Sequence, residues 1–187
     1  MNMINILKKY NPLNDQEAGD KAEIIRRLES GEELFSRENS SAHFTASAWV
    51  VNKDKTKVLM AYHNLYDSWA WLGGHADGEQ DLLKVAIKEV KEESGLTNVT
   101  PVTEDIYSME ILAVSGHYKK GKYVPSHLHL NLTYLLEADE NEPLTVKPDE
   151  NSQVGWFTPK DAIEASKEEW FKVHIYKKLN EKLEQYR

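Results

Sequence analysis

Three glutamates offer the most pointed chemistry in this chain. Glu89, Glu92 and Glu93 stand at i, i+3 and i+4, a spacing that projects all three carboxylates from one face of a helix. Like charges one turn apart, as at Glu89 and Glu93, cost roughly 0.2–0.5 kcal/mol in an isolated helix. A bound hard cation would relieve that repulsion. Mg²⁺ suits such a face, because it prefers oxygen ligands, keeps several waters and shares substrate phosphates. An exposed helix face softened by Lys84, Lys88 and Lys91 has the same spacing, so the trio alone leaves both readings open. Histidines add candidates. His75 follows the paired glycines Gly73-Gly74, and His127 and His129 alternate onto one side of a strand together with Asn131. Histidine can donate to phosphate or bind metal, and it also serves as a part-buried structural residue. Trp69, Trp71 and Tyr62 could stack a base or pack a core.

The elements that carry these residues are legible from periodicity and breakers. A helix is expected from about Asp81 to Ser94, with Gly95 at the stopping position. Trp69 and Trp71 lead into Gly73-Gly74, read as a break before that helix. Strand-like runs occupy Phe44–Val51 and Lys57–Tyr62, joined by an Asn52-Lys-Asp-Lys hairpin turn. Further strands are expected near Ile106–Val114, Leu128–Leu136 and Gln153–Phe157. In the second of these, His127, His129, Asn131 and Thr133 share one face, opposite Leu128, Leu130, Leu132 and Tyr134. The first 40 residues read as a helical extension, capped by Asp15 or Asp20 and ended near Gly31, with Ile24, Ile25 and Leu28 at helical spacing. A helix should follow Pro159, and Glu168–Gln185 reads as a long terminal helix with Trp170, Val173, Leu179 and Leu183 inward. Strands followed by single helices indicate a mixed α/β sandwich of the α+β type.

The stretch from Gly74 to Leu96 resembles the Nudix box, G-x5-E-x7-R-E-U-x-E-E-x-G-U with U aliphatic. Gly74, Glu89, Val90, Glu92, Glu93, Gly95 and Leu96 match at the required spacing. Allowing any two mismatches, background usage yields such a match in on the order of one chain in a few thousand. Two positions depart from the pattern: Gln80, with Glu79 beside it, replaces the first box glutamate, and Lys88 replaces the arginine. Lysine keeps the charge and loses the planar fork.

The resemblance implies a mixed β-sheet between helices, with a helical extension at 1–40 and a Nudix hydrolase domain at 41–187. It implies Mg²⁺, with Mn²⁺ as a substitute, held by Glu89, Glu92, Glu93 and the Gly73 carbonyl. Lys88, Glu92 and Glu93 would belong to the catalytic set. Glu150, six residues before Trp156, corresponds to a loop glutamate of MutT-type members and would act as a further ligand or general base; its other reading is a solvated loop residue. His75, His127, His129 and Trp69 are the substrate-binding candidates. The implied reaction is hydrolysis of a phosphoanhydride in a small nucleoside-diphosphate-type metabolite. The alternatives are a Nudix-fold nucleotide-binding module of weak activity, kept open by Gln80 and Lys88, and an enzyme like isopentenyl diphosphate isomerase, whose familiar form uses a cysteine that this chain lacks. Neither a proline nor a tyrosine marks a substrate group around Glu110–Leu112. Dimerisation is common in the family, and the terminal helices could mediate it.

Composition sets the outer bounds. The 187 residues suffice for one domain, and 40% hydrophobic with 29% charged residues is ordinary globular usage. Zero cysteines exclude disulfides, thiolate metal sites and thiol nucleophiles. A net charge of −8 argues against nucleic acid polymers as partners. No apolar run approaches the roughly 18 residues of a membrane span, and the N-terminus lacks a signal-peptide core. A cytoplasmic protein that takes no membrane partner is expected.

Overall fold

Strand β1 (Ala42–Val51) organises the molecule: all ten of its residues are buried. A computed structural model describes residues 3–119 and 121–187; residues 1 and 2 of the expected N-terminal extension lie outside them. β1 runs parallel to β9 (His127–Ala138) and antiparallel to β2 (Val58–His63) and β4 (Leu72–His75). β10 (Asn151–Phe157) and the short β3 (Ser68–Ala70) both pair with β2, while β5 (Val99–Pro101) and β6 (Ser108–Val114) pair with β9. The backbone of the sheet is therefore ordered β10-β2-β1-β9-β5. A separate hairpin joins β7 (His117–Lys119) to β8 (Lys122–Val124). The sequence does not lead one to expect that hairpin, β3 or β5, and β4 forms where a break before the helix is expected.

Because side chains alternate along a strand, β1 and β9 feed two cores. Phe44, Ala46, Ala48 and Val50, with Leu130, Leu132, Tyr134 and Leu136, meet Leu82, Val85, Ala86 and Val90 of α3 (Leu82–Ser94) on one side. Trp49, Val51 and Leu135 meet Ile175, Tyr176, Leu179 and Leu183 of the C-terminal helix on the other. The fold is thus a mixed sheet between helices, as the periodicity indicates. No helix among the described residues is long and apolar enough to cross a membrane.

The N-terminal segment forms α1 (Met3–Lys9) and α2 (Asp15–Glu29). Asn14, not Asp15 or Asp20, caps α2: its extended backbone lets its side chain accept from the Glu17 amide at 3.0 Å. Asp20 instead accepts the Ile111 amide at 2.9 Å, and Gln16 donates to the Met109 carbonyl at 3.2 Å. Both contacts satisfy backbone groups of β6, so α2 closes an otherwise open sheet edge. Leu7, Ile24 and Leu34 are fully buried in the first core.

The terminal helix is segmented. α5 (Glu169–Phe171) runs into a π-helical turn, Lys172–Tyr176, and then α6 (Lys177–Leu183). Trp170 and Val173, expected inward, are 48% and 49% exposed, whereas Ile175 and Tyr176 are buried. The wide turn shifts the helix face relative to a uniform 3.6-residue repeat, which rotates the two earlier residues toward solvent. Its inner face also carries two buried lysines. Lys178 approaches Glu110 at 2.9 Å and Glu17 at 3.4 Å, and Lys182 approaches Glu17 at 2.8 Å. Both glutamates are fully buried. Glu110 further accepts from Asn131 and Thr133 at 3.0 Å each. Two carboxylates against two ammonium groups leave this interior neutral, the condition for tolerating buried charge.

Candidate active site

Helix α3 begins at the Asp81 cap, whose side chain accepts from the Lys84 amide at 3.2 Å, and stops at Gly95, which adopts φ +76°. Between these caps Glu89 and Glu93 face the sheet and are nearly buried, at 8% and 6% exposure, while Glu92 lies on the solvent rim. Gly73 and Gly74 do not break the chain as expected; they form the middle of β4, opposite Ser47 and Ala46. Each is required by what it touches. A Cβ on Gly74 would come within 2.5 Å of the Glu89 carboxylate carbon, and one on Gly73 within 2.5 Å of the Ala46 carbonyl oxygen. The Gly73 amide donates to Glu93 at 3.3 Å.

The fourth carboxylate comes from far along the chain. Asn151, almost fully buried, donates to the Glu93 carbonyl at 3.0 Å and accepts from the Lys147 amide at 3.1 Å. The Asn64 amide donates to the Glu150 carbonyl at 3.0 Å. These bonds pin the loop before β10 against the end of α3 and bring Glu150 to the helix. Ligand-competent oxygens of Glu89, Glu93 and Glu150 then lie within 4.8 Å of one another. Glu92 falls outside that trio and pairs with Lys88 at 3.5 Å and Lys147 at 3.4 Å. Lys88 also reaches Glu89 at 3.5 Å, and Lys147 reaches Glu150 at 3.0 Å. Lys147 and Asn151 have no signal in the sequence, since only the fold brings their loop to α3.

Electrostatics follow from this crowding. Burial, then the neighbouring Glu89, pushes the Glu93 carboxyl up to about 8. Burial raises Glu89 too, against the pull of Lys88, and the charge of Glu89 in turn raises Lys88. Four carboxylates face two ammonium groups, a deficit of two positive charges when all are ionised. A divalent cation matches that deficit, and the oxygen-only donor set matches a hard one. Beside the cluster a cleft of about 360 Å³ is lined by His75, Lys84 and Lys88, among others.

The histidines gather separately. His75 joins His129, with ring centroids 4.9 Å apart, and the His127 and His129 Nε2 atoms are 3.1 Å apart. His43, which is not among the substrate-binding candidates named from the sequence, completes the group, its ring 5.0–5.2 Å from those of His75, His127 and His129. The β1–β9 register, which sets His43 opposite His129, creates the contact. Burial and the surrounding imidazoles push His129 down to about 2, and burial lowers His43. Trp69 packs edge-on against Tyr62 and Phe157 beside the second core. Gln80 is exposed, and its neighbour Glu79 accepts the Asp81 amide at 2.9 Å.

Comparison with known proteins agrees with this geometry. The chain is 28% identical over 140 residues to an RNA pyrophosphohydrolase of Pelagibacter ubique, covering 73% of this chain and 87% of that protein. It is 26% identical over 157 residues to a probable DHNTP pyrophosphohydrolase of Lactococcus lactis, covering 83% and 86%. The crystal structure of a C. elegans Ap4A hydrolase shares the fold with a TM-score of 0.56 at 21% identity, over 76% of this chain and 96% of that one. The family model described as NUDIX domain matches residues 42–179, most of the chain and every carboxylate of the cluster. The chain belongs to the Nudix family.

Proposed function

We propose that this protein hydrolyses a phosphoanhydride bond in a small nucleoside-diphosphate-type metabolite with the help of Mg²⁺. The observation that carries the reading is the convergence of Glu89, Glu93 and Glu150 within 4.8 Å, beside Gly74, whose missing side chain leaves room for the Glu89 carboxylate. Two relatives named as pyrophosphohydrolases support the bond type.

Glu89, Glu93 and Glu150, with Glu92 and the Gly73 carbonyl at the margin, would hold the cation. Mg²⁺ there supplies positive charge that screens phosphate oxygens and acidifies water. The remaining chemistry falls to the chain. Lys88 would orient Glu89 and Glu92, and Lys147 would bridge Glu92 and Glu150. Glu150, tied in place through Asn151, would serve as a ligand or, in its alternative role, take the proton of an attacking water at its carboxylate oxygen. Lys84, Lys88 and His75 line the adjoining cleft and would meet the phosphate oxygens as charge builds on the leaving group.

The test is incubation of the purified protein with Mg²⁺ and a panel of nucleoside diphosphate and triphosphate derivatives, with products resolved by chromatography. One compound should be cleaved, and Glu92→Gln/Glu93→Gln should slow it by about 10²-fold or more. Survival of every compound across several divalent metals would refute the hydrolase reading.

A further inference from the structure

A second cluster, chemically unlike the carboxylates, is built from three strands. His43 lies on β1, His75 on β4 and His129 on β9, and one ring nitrogen of each falls within 4.8 Å of the other two. From this geometry we infer a second, nitrogen-only metal site in which His43, His75 and His129 bind a borderline-soft divalent cation such as Zn²⁺, distinct from the oxygen site at Glu89, Glu93 and Glu150.

Hydrogen bonding assigns the lone pairs. His43 Nδ1 lies 3.0 Å from the Asn39 carbonyl, and His127 Nδ1 lies 2.8 Å from the Pro125 carbonyl. A carbonyl only accepts, so both Nδ1 atoms carry hydrogen and both neutral rings present Nε2 as a lone pair. His127 satisfies its own by accepting from His129 Nε2 at 3.1 Å, which leaves Nδ1 as the lone pair that His129 offers a metal. His43 does not: its Nε2 is buried and has no partner among the described residues, in a side chain only 4% exposed. A ring held through Nδ1 by a backbone carbonyl, with its other nitrogen left as a lone pair, is the arrangement by which proteins orient metal-ligating histidines.

Distances and access fit. Tetrahedral Zn–N bonds of about 2.0–2.1 Å set ligand nitrogens about 3.4 Å apart, so small side-chain rotations from the observed separations suffice. His75 and His129 are only half-buried, leaving an approach for the ion. Three neutral imidazoles favour Zn²⁺, Co²⁺, Ni²⁺ or Cu²⁺ over Mg²⁺. With three protein ligands, a fourth position stays open to water or to an anionic group. His127 acts as a positioning residue, through its contact with His129.

The experiment uses Co²⁺, whose visible spectrum reports ligand type and geometry, followed by displacement with Zn²⁺. Full-length protein carrying Glu89→Gln/Glu93→Gln removes the competing oxygen site. It should bind one Co²⁺ with an intense tetrahedral-type spectrum, bleached by one equivalent of Zn²⁺. Adding His43→Asn should weaken Co²⁺ by about 100-fold or more while far-ultraviolet circular dichroism stays native, and the half-buried His75→Asn should do the same if His43→Asn fails to fold. No Co²⁺ bound by the glutamate variant, or binding indifferent to the histidine substitutions, overturns the inference.

Discussion

Gly73 and Gly74 are neighbours in one strand, yet replacing each by alanine should have opposite consequences. Neither has a positive φ, so alanine is conformationally acceptable at both. At Gly74 the added Cβ would sit 2.5 Å from the Glu89 carboxylate carbon, and the three nearest atoms all belong to that carboxylate. Ordinary carbon contacts need about 3.5–4.0 Å, so the carboxylate must swing away by about 1–1.5 Å. Glutamate can do this cheaply, and alanine in a strand is favoured over glycine by roughly 0.5–1 kcal/mol, so stability should change by less than about 1 kcal/mol. Metal ligation tolerates only about 0.2 Å, and a 1 Å misplacement costs about 10²-fold in rate. At Gly73 the added Cβ would meet the Ala46 carbonyl oxygen at 2.5 Å and the Ser47 Cα at 2.7 Å. Backbone cannot rotate aside, so overpacking of about 1–3 kcal/mol or more is expected. Thermal melting of both variants, Mn²⁺ affinity by electron paramagnetic resonance, and turnover of whichever compound the panel identifies would separate the two. Gly74→Ala should melt near wild type with Mn²⁺ binding weakened at least about 10-fold and turnover down about 10²-fold. Retained Mn²⁺ affinity in Gly74→Ala, or a melting loss as large as that of Gly73→Ala, would refute the reasoning.

Three further outcomes follow from other parts of the molecule. Glu93, held protonated to about pH 8 by burial and Glu89, keeps a proton that the unfolded chain loses near its ordinary value of 4.5. Folded protein therefore binds more protons than unfolded protein between those limits, so metal-free stability should fall as pH rises through that window and then level off; melting in chelator should show this, and Glu93→Gln should flatten it. Glu17→Ala removes the carboxylate partner of buried Lys182 and leaves Lys178 with Glu110 alone, at about 3–5 kcal/mol, which for a chain of this size lowers the melting temperature by roughly 6–20 °C; an unchanged melt would contradict the buried network. Gly95→Ala forces a side chain into a left-handed cap at φ +76° against Thr145, at a cost of about 1–2 kcal/mol, and denaturant titration should show a lower midpoint.

Local chemistry made helix α3 readable from its residues alone. Asp81 and Gly95 are caps that act within one turn, and the carboxylates at i, i+3 and i+4 share a face wherever a helix forms. The alternation of β9 was equally local, and it separates a leucine face from the face bearing His127, His129, Asn131 and Thr133. Residue pairing across the chain has no such signature. Glu150 joins Glu89 and Glu93 because Asn151 ties its loop to the end of α3, and His43 meets His129 because β1 and β9 pair in one parallel register. Lysine is a residue type that is almost never fully buried unless paired, and nothing local marks Lys178 and Lys182 as interior. They are buried because Glu17 and Glu110, from two other elements, neutralise them there. Trp170 and Val173 read as core and turned outward, because the π turn at Lys172–Tyr176 breaks the 3.6-residue repeat and brings Ile175 and Tyr176 inward instead. Periodicity reports which side of an element is apolar. Which distant charge or strand meets that side is decided only when the sheet register and the edge-covering helices close together, since a buried charge is stable only where its partner arrives.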